Sequence, residues 1–434
     1  MHLKDNYKIL SYLLIFISFS SFFLGFYLDE NSAGAGSYLG DWKYAWPNIQ
    51  LFINQNVYDS IHSENYLSNR PPLLYILHKL FNPFVETEMG YRRSVFIVSL
   101  ATPFLFYFCL KQKFKEIDGL LLFLISSVVL LSPYYRTSAY WGLEENYSFI
   151  SLLLSFLFLN YFLENNSKKN YKIYFQLFFS IFFSSLCVYF DQKLIVIPLI
   201  CFFIILGAKK KINFKVLSVL FYLILSLPFV YLVILWENIT PGPVKLTNQL
   251  YLNNFGYAST ILAFYLIPLF FFNEKKIFQL IKESFLSKIN YFLIFLFIIY
   301  CIYIFYYIGL SEFYSESNYP STGKGVIHKI SLILFNDDMI RKIFIYFSFF
   351  ISWIIIIIFI NKNFKDGLIL LYFITIFIFI NPIFQEYFDP LILLIAFTFL
   401  SSTTYINLKN VIVLFLYSSF FLICCNIYYY NLLQ

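Results

Sequence analysis

The sequence predicts an all-helical protein threaded many times through a membrane. Three observations carry this. Of the 434 residues, 60% are hydrophobic and only 13% are charged, with a mean hydropathy of +0.71; a soluble domain carries roughly a quarter charged residues. Long apolar runs recur from one end of the chain to the other, each near the ~20 residues that a spanning helix needs. Lysines gather in short runs between alternate apolar segments, as topology signals do. The net charge of +7 therefore speaks for membrane orientation and not for nucleic acid.

About thirteen spanning helices are expected (range 11–13), near 8–28, 93–110, 119–133, 147–163, 173–190, 194–207, 216–235, 257–272, 290–309, 343–360, 367–381, 389–405 and 411–425. The close pairs 173–190 with 194–207 and 367–381 with 389–405 leave room for a re-entrant segment. The first run is long for a signal peptide, so an uncleaved helix is expected ahead of the small residues at 32–35. With the N-terminus in the cytoplasm, Lys111, Lys113, Lys115, Lys168, Lys169, Lys172, Lys209, Lys210, Lys211, Lys215, Lys275, Lys276, Lys362, Lys365 and Lys409 all fall inside. No internal repeat is visible, and one membrane domain over residues 1–434 is expected.

The opposite side is different in character. All five arginines (Arg70, Arg92, Arg93, Arg136, Arg341) fall on the expected outer side. Arginine offers a planar fork suited to phosphate and carboxylate, so either phosphate binding or pairing with loop acids accounts for them. Most acids and four of the five tryptophans lie there too. Interfacial belts explain tryptophans in general; stacking on a sugar ring is the sharper reading for Trp42, Trp46 and Trp141.

The longest early polar stretch is the first outer loop, residues 29–92. Pro71-Pro72 opens the short apolar piece LLYILHKLF, and proline is well placed at a helix start. This piece and the stretch 41–56 are expected to lie as two helices in the interface plane. Asp41 stands at the start of the first, as an N-cap or as a general base, two roles that are compatible. Asp29 and Glu30, just after the first helix, are the alternatives. A second constellation, residues 132–149, holds Arg136, Trp141, Glu144 and Glu145; acids at a helix entry into a membrane need partners or water. A third is the turn 381–391 with Gln385, Glu386, Tyr387 and Asp389, and a fourth is Asp191-Gln192-Lys193, a turn with a local ion pair. Residues 310–342 form a late outer segment with an amphipathic piece at 326–336, a possible lid.

The six cysteines lie in or beside apolar runs, so no structural disulfide is expected. No Walker A loop, dinucleotide fingerprint, zincin or nucleophile-elbow motif is present. His62 and His78 lack the spacing of metal ligands on one helix; a divalent metal held by loop carboxylates stays open.

Gly40-Asp41-Trp42-Lys43-Tyr44, then Arg70-Pro71-Pro72-Leu73-Leu74-Tyr75, then Tyr91-Arg92-Arg93-Ser94 follow one another in an order that resembles the first outer loop of GT-C fold membrane glycosyltransferases. The group is that of the protein O-mannosyltransferases and the lipid A aminoarabinose transferases. Arg70 stands where the family usually has a histidine. Glu144 or Glu145 matches the acid of the family's second outer turn, and Gln385-Glu386-Tyr387-Phe388-Asp389-Pro390 resembles a late turn. The motifs cover roughly residues 25–165, and the rest is similar only in topology. The first-loop acid pair of many relatives corresponds here to Asp29-Glu30.

The resemblance implies an inverting transfer from a polyprenyl-phosphate sugar to a lipid, glycan or protein acceptor outside a cell membrane, such as a bacterial inner membrane. It implies catalytic roles for Asp41 (or Asp29, Glu30), Glu144 and Glu145, and lipid-phosphate contacts from Arg70, Arg92, Arg93, Arg136 and Arg341. Sugar or acceptor contacts would come from Trp42, Tyr44, Trp46, Trp141, Glu386, Tyr387 and Asp389. The rival readings are a transporter or flippase, a polysaccharide polymerase or ligase, and a membrane scaffold.

Overall fold

A computed structural model describes residues 2–33, 40–68, 70–164, 171–238, 250–272, 277–285, 288–307, 323–362, 364–380, 383–401 and 405–433. Among these there is no strand. The helices are α1 (His2–Tyr27), α2 (Trp42–Asn54), α3 (Val57–His62), α4 (Leu73–Phe81), α5 (Glu88–Ser99), α6 (Ala101–Lys113), α7 (Gly119–Ser127), α8 (Pro133–Tyr140), α9 (Glu145–Glu164), α10 (Tyr171–Phe190), α11 (Val196–Gly207) and α12 (Ile212–Trp236). They continue as α13 (Asn253–Leu266), α14 (Ile277–Phe285), α15 (Lys288–Tyr307), α16 (Gly325–Leu334), α17 (Asp338–Lys362), α18 (Phe364–Ile376), α19 (Leu391–Thr398) and α20 (Leu408–Leu433).

Eight helical segments among the described residues are long and apolar enough to cross a membrane. They are Tyr7–Tyr27, Glu88–Lys113, Glu145–Glu164, Tyr171–Phe190, Ile212–Trp236, Asn253–Phe272, Asp338–Ile360 and Leu408–Tyr430. The other five expected positions are helical but short or bent. The expected span at 119–133 turns by 68° into α8. The cause is local: Pro133 has no N–H to continue the ladder, and the Ser132 side chain accepts from Tyr135 N to start a new helix. Gln192–Gly207 and Asn290–Tyr306 stay below span length, α18 has 13 residues and α19 only 8.

The chain divides into two compact units where the sequence pattern marks no boundary: residues 1–246 with 415–434, and residues 247–414. In the first unit α9 packs along α10, α6 along α9, and α1 against α7. Beyond α1 the chain is held to α8: Ser32 donates to Pro133 O and Ala33 N to Thr137 Oγ1. The outward face of α12 is apolar, with Leu223, Ile224, Leu227 and Ile234 exposed, the pattern of a helix that faces lipid. In the second unit α17 packs against α13 and α18. The six cysteines are free.

The α13–α17 contact is close because Gly256 lets it be. A Cβ there would stand 2.2 Å from Phe349 Cε2, and Gly256 N donates to Tyr300 OH at 2.9 Å. Nothing lies within 4 Å of a Cβ at Gly207. Gly256→Val is therefore expected to lower the thermal midpoint of the detergent-solubilised protein, by the ~1–3 kcal/mol of an overpacked contact. Gly207→Ala is expected to leave the midpoint unchanged, and equal effects would contradict the packing described.

Candidate functional site

The first outer loop folds into short helices, as its prolines and periodicity imply. The apolar face of α2 (Trp42, Ala45, Ile49, Phe52) is buried, and α2 packs against α4, whose Leu74, Tyr75 and His78 are buried in turn. Asp41 takes the N-cap position of α2, and its carbonyl accepts from Tyr44 N and Ala45 N. Its carboxyl does not cap the helix. It makes no hydrogen bond or ion pair among the described residues.

Arg70, at the break before α4, reaches a set of acids far along the chain. Its Nε donates to Glu144 Oε1 at 2.6 Å, Nη1 to Asp191 Oδ1 at 3.3 Å and Nη2 to Glu145 Oε1 at 3.4 Å. Lys193 Nζ lies 3.3 Å from Asp191 Oδ2 and 3.9 Å from Glu145 Oε1. Ser138 Oγ donates to Glu145 Oε2 at 2.9 Å. The side chains of this cluster are mostly withdrawn from solvent, from 18% exposed at Arg70 to 4% at Asp191. Three helix starts supply it: the loop into α4, the entry to α9, and the turn after α10.

Its electrostatics follow from burial and composition. Burial, and next the like charge of Glu145, push the Glu144 carboxyl up to about 8. Burial also works against the Asp191 carboxylate, but Arg70 and Lys193 outweigh it and hold Asp191 below the ordinary carboxylate value. Asp41 is raised by burial first and by Glu145 second, with Arg70, Lys193 and Lys43 pulling the other way. Asp41 is nonetheless an exposed residue, so the protein crowds it without covering it. Four carboxyl groups (Asp41, Glu144, Glu145, Asp191) face two buried cations (Arg70, Lys193). A proton retained on Glu144 reduces the excess of negative charge, which a poorly hydrated site favours. A carboxyl whose pKa is raised is a stronger base than an ordinary one.

The alternative acids are engaged elsewhere. Asp29, in a left-handed turn (φ 50°) after α1, accepts from Arg92 Nη2. Arg92 Nε donates to Tyr140 O at 2.8 Å, and its guanidinium lies 4.1 Å from the Trp141 ring. Glu30 is held by Arg136 through both oxygens, with the Arg136 Nε contact at 2.8 Å. The remaining Arg136 donors go to Ser21 O, Ser21 Oγ and Leu130 O. These two pairs tie α1 to α5 and α8. Arg136 is thus a bolt within the fold, with every N–H engaged, and Arg92 is committed through Nε and Nη2. Arg70 is likewise occupied by three carboxylates. Arg93 differs: it is exposed and makes no ion pair or hydrogen bond among the described residues. It shares an exposed stripe of α5 with Met89 and Ile97.

Two of the tryptophans expected to contact sugar are core residues instead. Trp42 is 1% exposed, its Nε1 donates to Glu88 Oε1, and its ring is flanked by Trp46, Tyr91 and Trp141 at centroid distances of 5.6, 6.0 and 6.3 Å. Trp141 is 4% exposed, and its Nε1 donates to Glu30 O. The reason is their position: both point inward where α2, α5 and α8 meet. Trp46 is half-buried and Tyr44 exposed, the latter with Lys43 Nζ 4.8 Å from its ring.

Arg341, Glu386, Tyr387 and Asp389 belong to the second unit. Arg341 is bound locally, to Phe335 O, Asn336 O and Asp338 Oδ1. Tyr387 stacks on Phe377 at 5.6 Å, Glu386 is half-buried and Asp389 buried. Of the late outer segment, 310–322 lies outside the described residues; the amphipathic piece is α16. Sequence reasoning gave Asp191 and Lys193 only to each other, since a partner 121 positions away in Arg70 leaves no local pattern. It also passed over His78, whose ring nitrogens meet Tyr147 OH at 2.9 Å and Asn82 Nδ2 at 2.8 Å; burial pushes this imidazole down to about 4. Among the described residues, no group of three or more His, Cys, Asp or Glu side chains is arranged to hold a metal. In the buried cluster the carboxylates converge on a guanidinium, which fills the place of a cation.

Arg70→Ala removes the group on which three carboxylates converge. It is expected to destabilise the protein by the ~3–5 kcal/mol typical of a broken buried pair, read as a large fall in thermal midpoint. Arg93→Ala, by contrast, should change it little. The Glu144 carboxyl, ordinarily at 4.5 and here at about 8, keeps a proton in the folded chain that the unfolded chain has released. Its contribution to stability is complete below pH 4.5 and lost as pH rises to about 8. Glu144→Gln should flatten that part of the stability profile; an unchanged slope would show that Glu144 is not the group responsible.

No family model, no curated protein and no solved structure matches this chain.

Proposed function

We propose that this chain is an inverting, GT-C-like membrane glycosyltransferase of about thirteen membrane segments. It would transfer a sugar from a polyprenyl-phosphate donor to a lipid, glycan or protein acceptor outside the cell membrane. The N-terminus is placed in the cytoplasm, on the strength of the lysine distribution. One observation supports the reading most: among the described residues the Asp41 carboxyl has no side-chain hydrogen bond or ion pair, and it is raised by burial and by Glu145, beside the Arg70–Glu144–Glu145–Asp191–Lys193 cluster. Asp29 and Glu30 are spent in ion pairs, which favours Asp41 among the three candidate bases.

In this mechanism the Asp41 carboxylate takes the proton of the acceptor hydroxyl. The acceptor oxygen bonds to the anomeric carbon as the bond from that carbon to the phosphate oxygen breaks, so configuration inverts and polyprenyl phosphate leaves with the electron pair. Arg70 and Lys193 act as positioning residues, holding Glu145 and Asp191 in ion pairs and fixing the field around Asp41. Arg93, exposed on an apolar stripe, is the arginine best placed to meet a lipid phosphate.

A second reading, a proton-coupled transporter or flippase, draws on the same cluster, because Glu144 holds a proton up to about pH 8 in a buried ionic group. A polymerase or ligase differs from the first reading only in using a glycan acceptor.

Sugar transfer from a polyprenyl-phosphate donor in membranes separates these readings. Asp41→Asn is expected to lower the rate by at least ~100-fold, the scale of a lost general base. Asp29→Asn should keep activity within a few-fold at a temperature where both proteins are folded. Full activity in Asp41→Asn would remove it as the base. An absence of transfer, joined to proton uptake coupled to movement of a lipid-linked sugar in vesicles, would favour the transporter.

A further inference from the structure

The hydrogen-bond ladder of α12 is interrupted near its C-terminal end. Pro228 lies inside the helix; it has no N–H, so the Ile224 carbonyl loses its ladder donor. The next rung is shared with another helix. Phe229 N donates to the Tyr189 hydroxyl at 3.1 Å, and that hydroxyl donates to Leu225 O at 2.5 Å. A side chain of α10 thus bonds both the donor and the acceptor of one rung of α12. A proline, and a side chain entering the ladder, are each recognised causes of a bend; here they fall at adjacent residues.

The two sides of this break are held differently. Before it, Phe214 and Ser218 are buried, and Tyr222 OH meets Ser184 Oγ of α10 at 3.0 Å. Beyond it only Leu232 is buried, while Val230, Tyr231 and Ile234 are exposed. The contacts of this end are with the first outer loop. Trp236 stacks on Tyr66 at a centroid distance of 6.2 Å, and Tyr231 OH lies 3.3 Å from His62 Nε2. Tyr66 OH in turn donates to Arg70 O at 2.6 Å. Tyr189 also leads to Arg70, because Asp191, just beyond it in the chain, accepts from Arg70 Nη1.

We propose that α12 hinges at Pro228, and that residues 229–236 are a strap on the first loop. The strap is closed while the Tyr189 hydroxyl is inserted and is released when it withdraws. Withdrawal lets Phe229 N bond Leu225 O directly, so no backbone group is left without a partner. The Tyr189 side chain is half-buried, and its hydroxyl has access to water once it leaves the ladder. Two arrangements with nearly equal hydrogen bonding are what a hinge requires. The direct rung straightens the helix at this point and carries Trp236 away from Tyr66, which loosens the loop that positions Arg70. All of these residues lie within the first unit, and the inference does not rest on the glycosyl-transfer reading.

Double electron–electron resonance on the full-length protein in nanodiscs tests this. Spin labels are placed at Ile234→Cys and Leu67→Cys, both exposed positions, with the exposed Cys424 removed as Cys424→Ser. Protein without the two introduced cysteines supplies the background. Two distances are expected, and Tyr189→Phe, which deletes only the hydroxyl, should raise the second population by about threefold or more. Pro228→Ala restores an N–H to the ladder and should leave the second distance alone. A single distance shared by the parent and Tyr189→Phe overturns the proposal. So do two distances whose ratio Tyr189→Phe leaves unchanged. Tyr189→Phe keeps the ring and its packing, so the test stands if Pro228→Ala does not fold.

Discussion

The buried ionic cluster of the first unit depends on one guanidinium. Arg70 holds Glu144, Glu145 and Asp191 together, and with them the loop before α4, the start of α9 and the turn after α10. Charges withdrawn from water are tolerated only in compensated sets. The loop is therefore fixed in place by electrostatics as well as by the apolar faces of α2 and α4. The cluster still holds more acid than base. That surplus is expressed in the raised Glu144 and Asp41 carboxyls.

The same logic divides the acids between two kinds of work. Asp29 and Glu30 satisfy Arg92 and Arg136 and in doing so brace α1. Asp41 makes no side-chain hydrogen bond or ion pair among the described residues. The tryptophans divide in a parallel way: Trp42 and Trp141 build the wall, and Tyr44 and Trp46 retain accessible surface.

Much of this was legible in the sequence, and the reasons are physical. Apolar runs and caps are local, so eight of the expected membrane segments are helices of spanning length among the described residues, and the short helices α2 and α4 fall where Pro71-Pro72 and the apolar periodicity place them. The bend at Pro133 and the shortness of α19 are also local, but hydropathy averaged over a window blurs them. Pairings are not local. Asp191 reads as a turn residue until Arg70 arrives from 121 positions away, and Arg136 reads as a free cation until Glu30 arrives from 106. The inward direction of Trp42 was hidden for a different reason: tryptophan suits both a membrane boundary and a core, and only its neighbours decide.

The separations in the Arg70 cluster also bear on how the chain is made. Arg70 leaves the ribosome 74 residues before Glu144 and 121 before Asp191. During that interval its charge has no partner, and an arginine in a bilayer costs about 2.5–3.5 kcal/mol even on the mildest scale. The segment around it can take its final seat only after α9 and α10 have been delivered. The Arg70 contacts can thus close only once the start of α9 and the turn after α10 exist, so this cluster is completed after the loop that carries its cation.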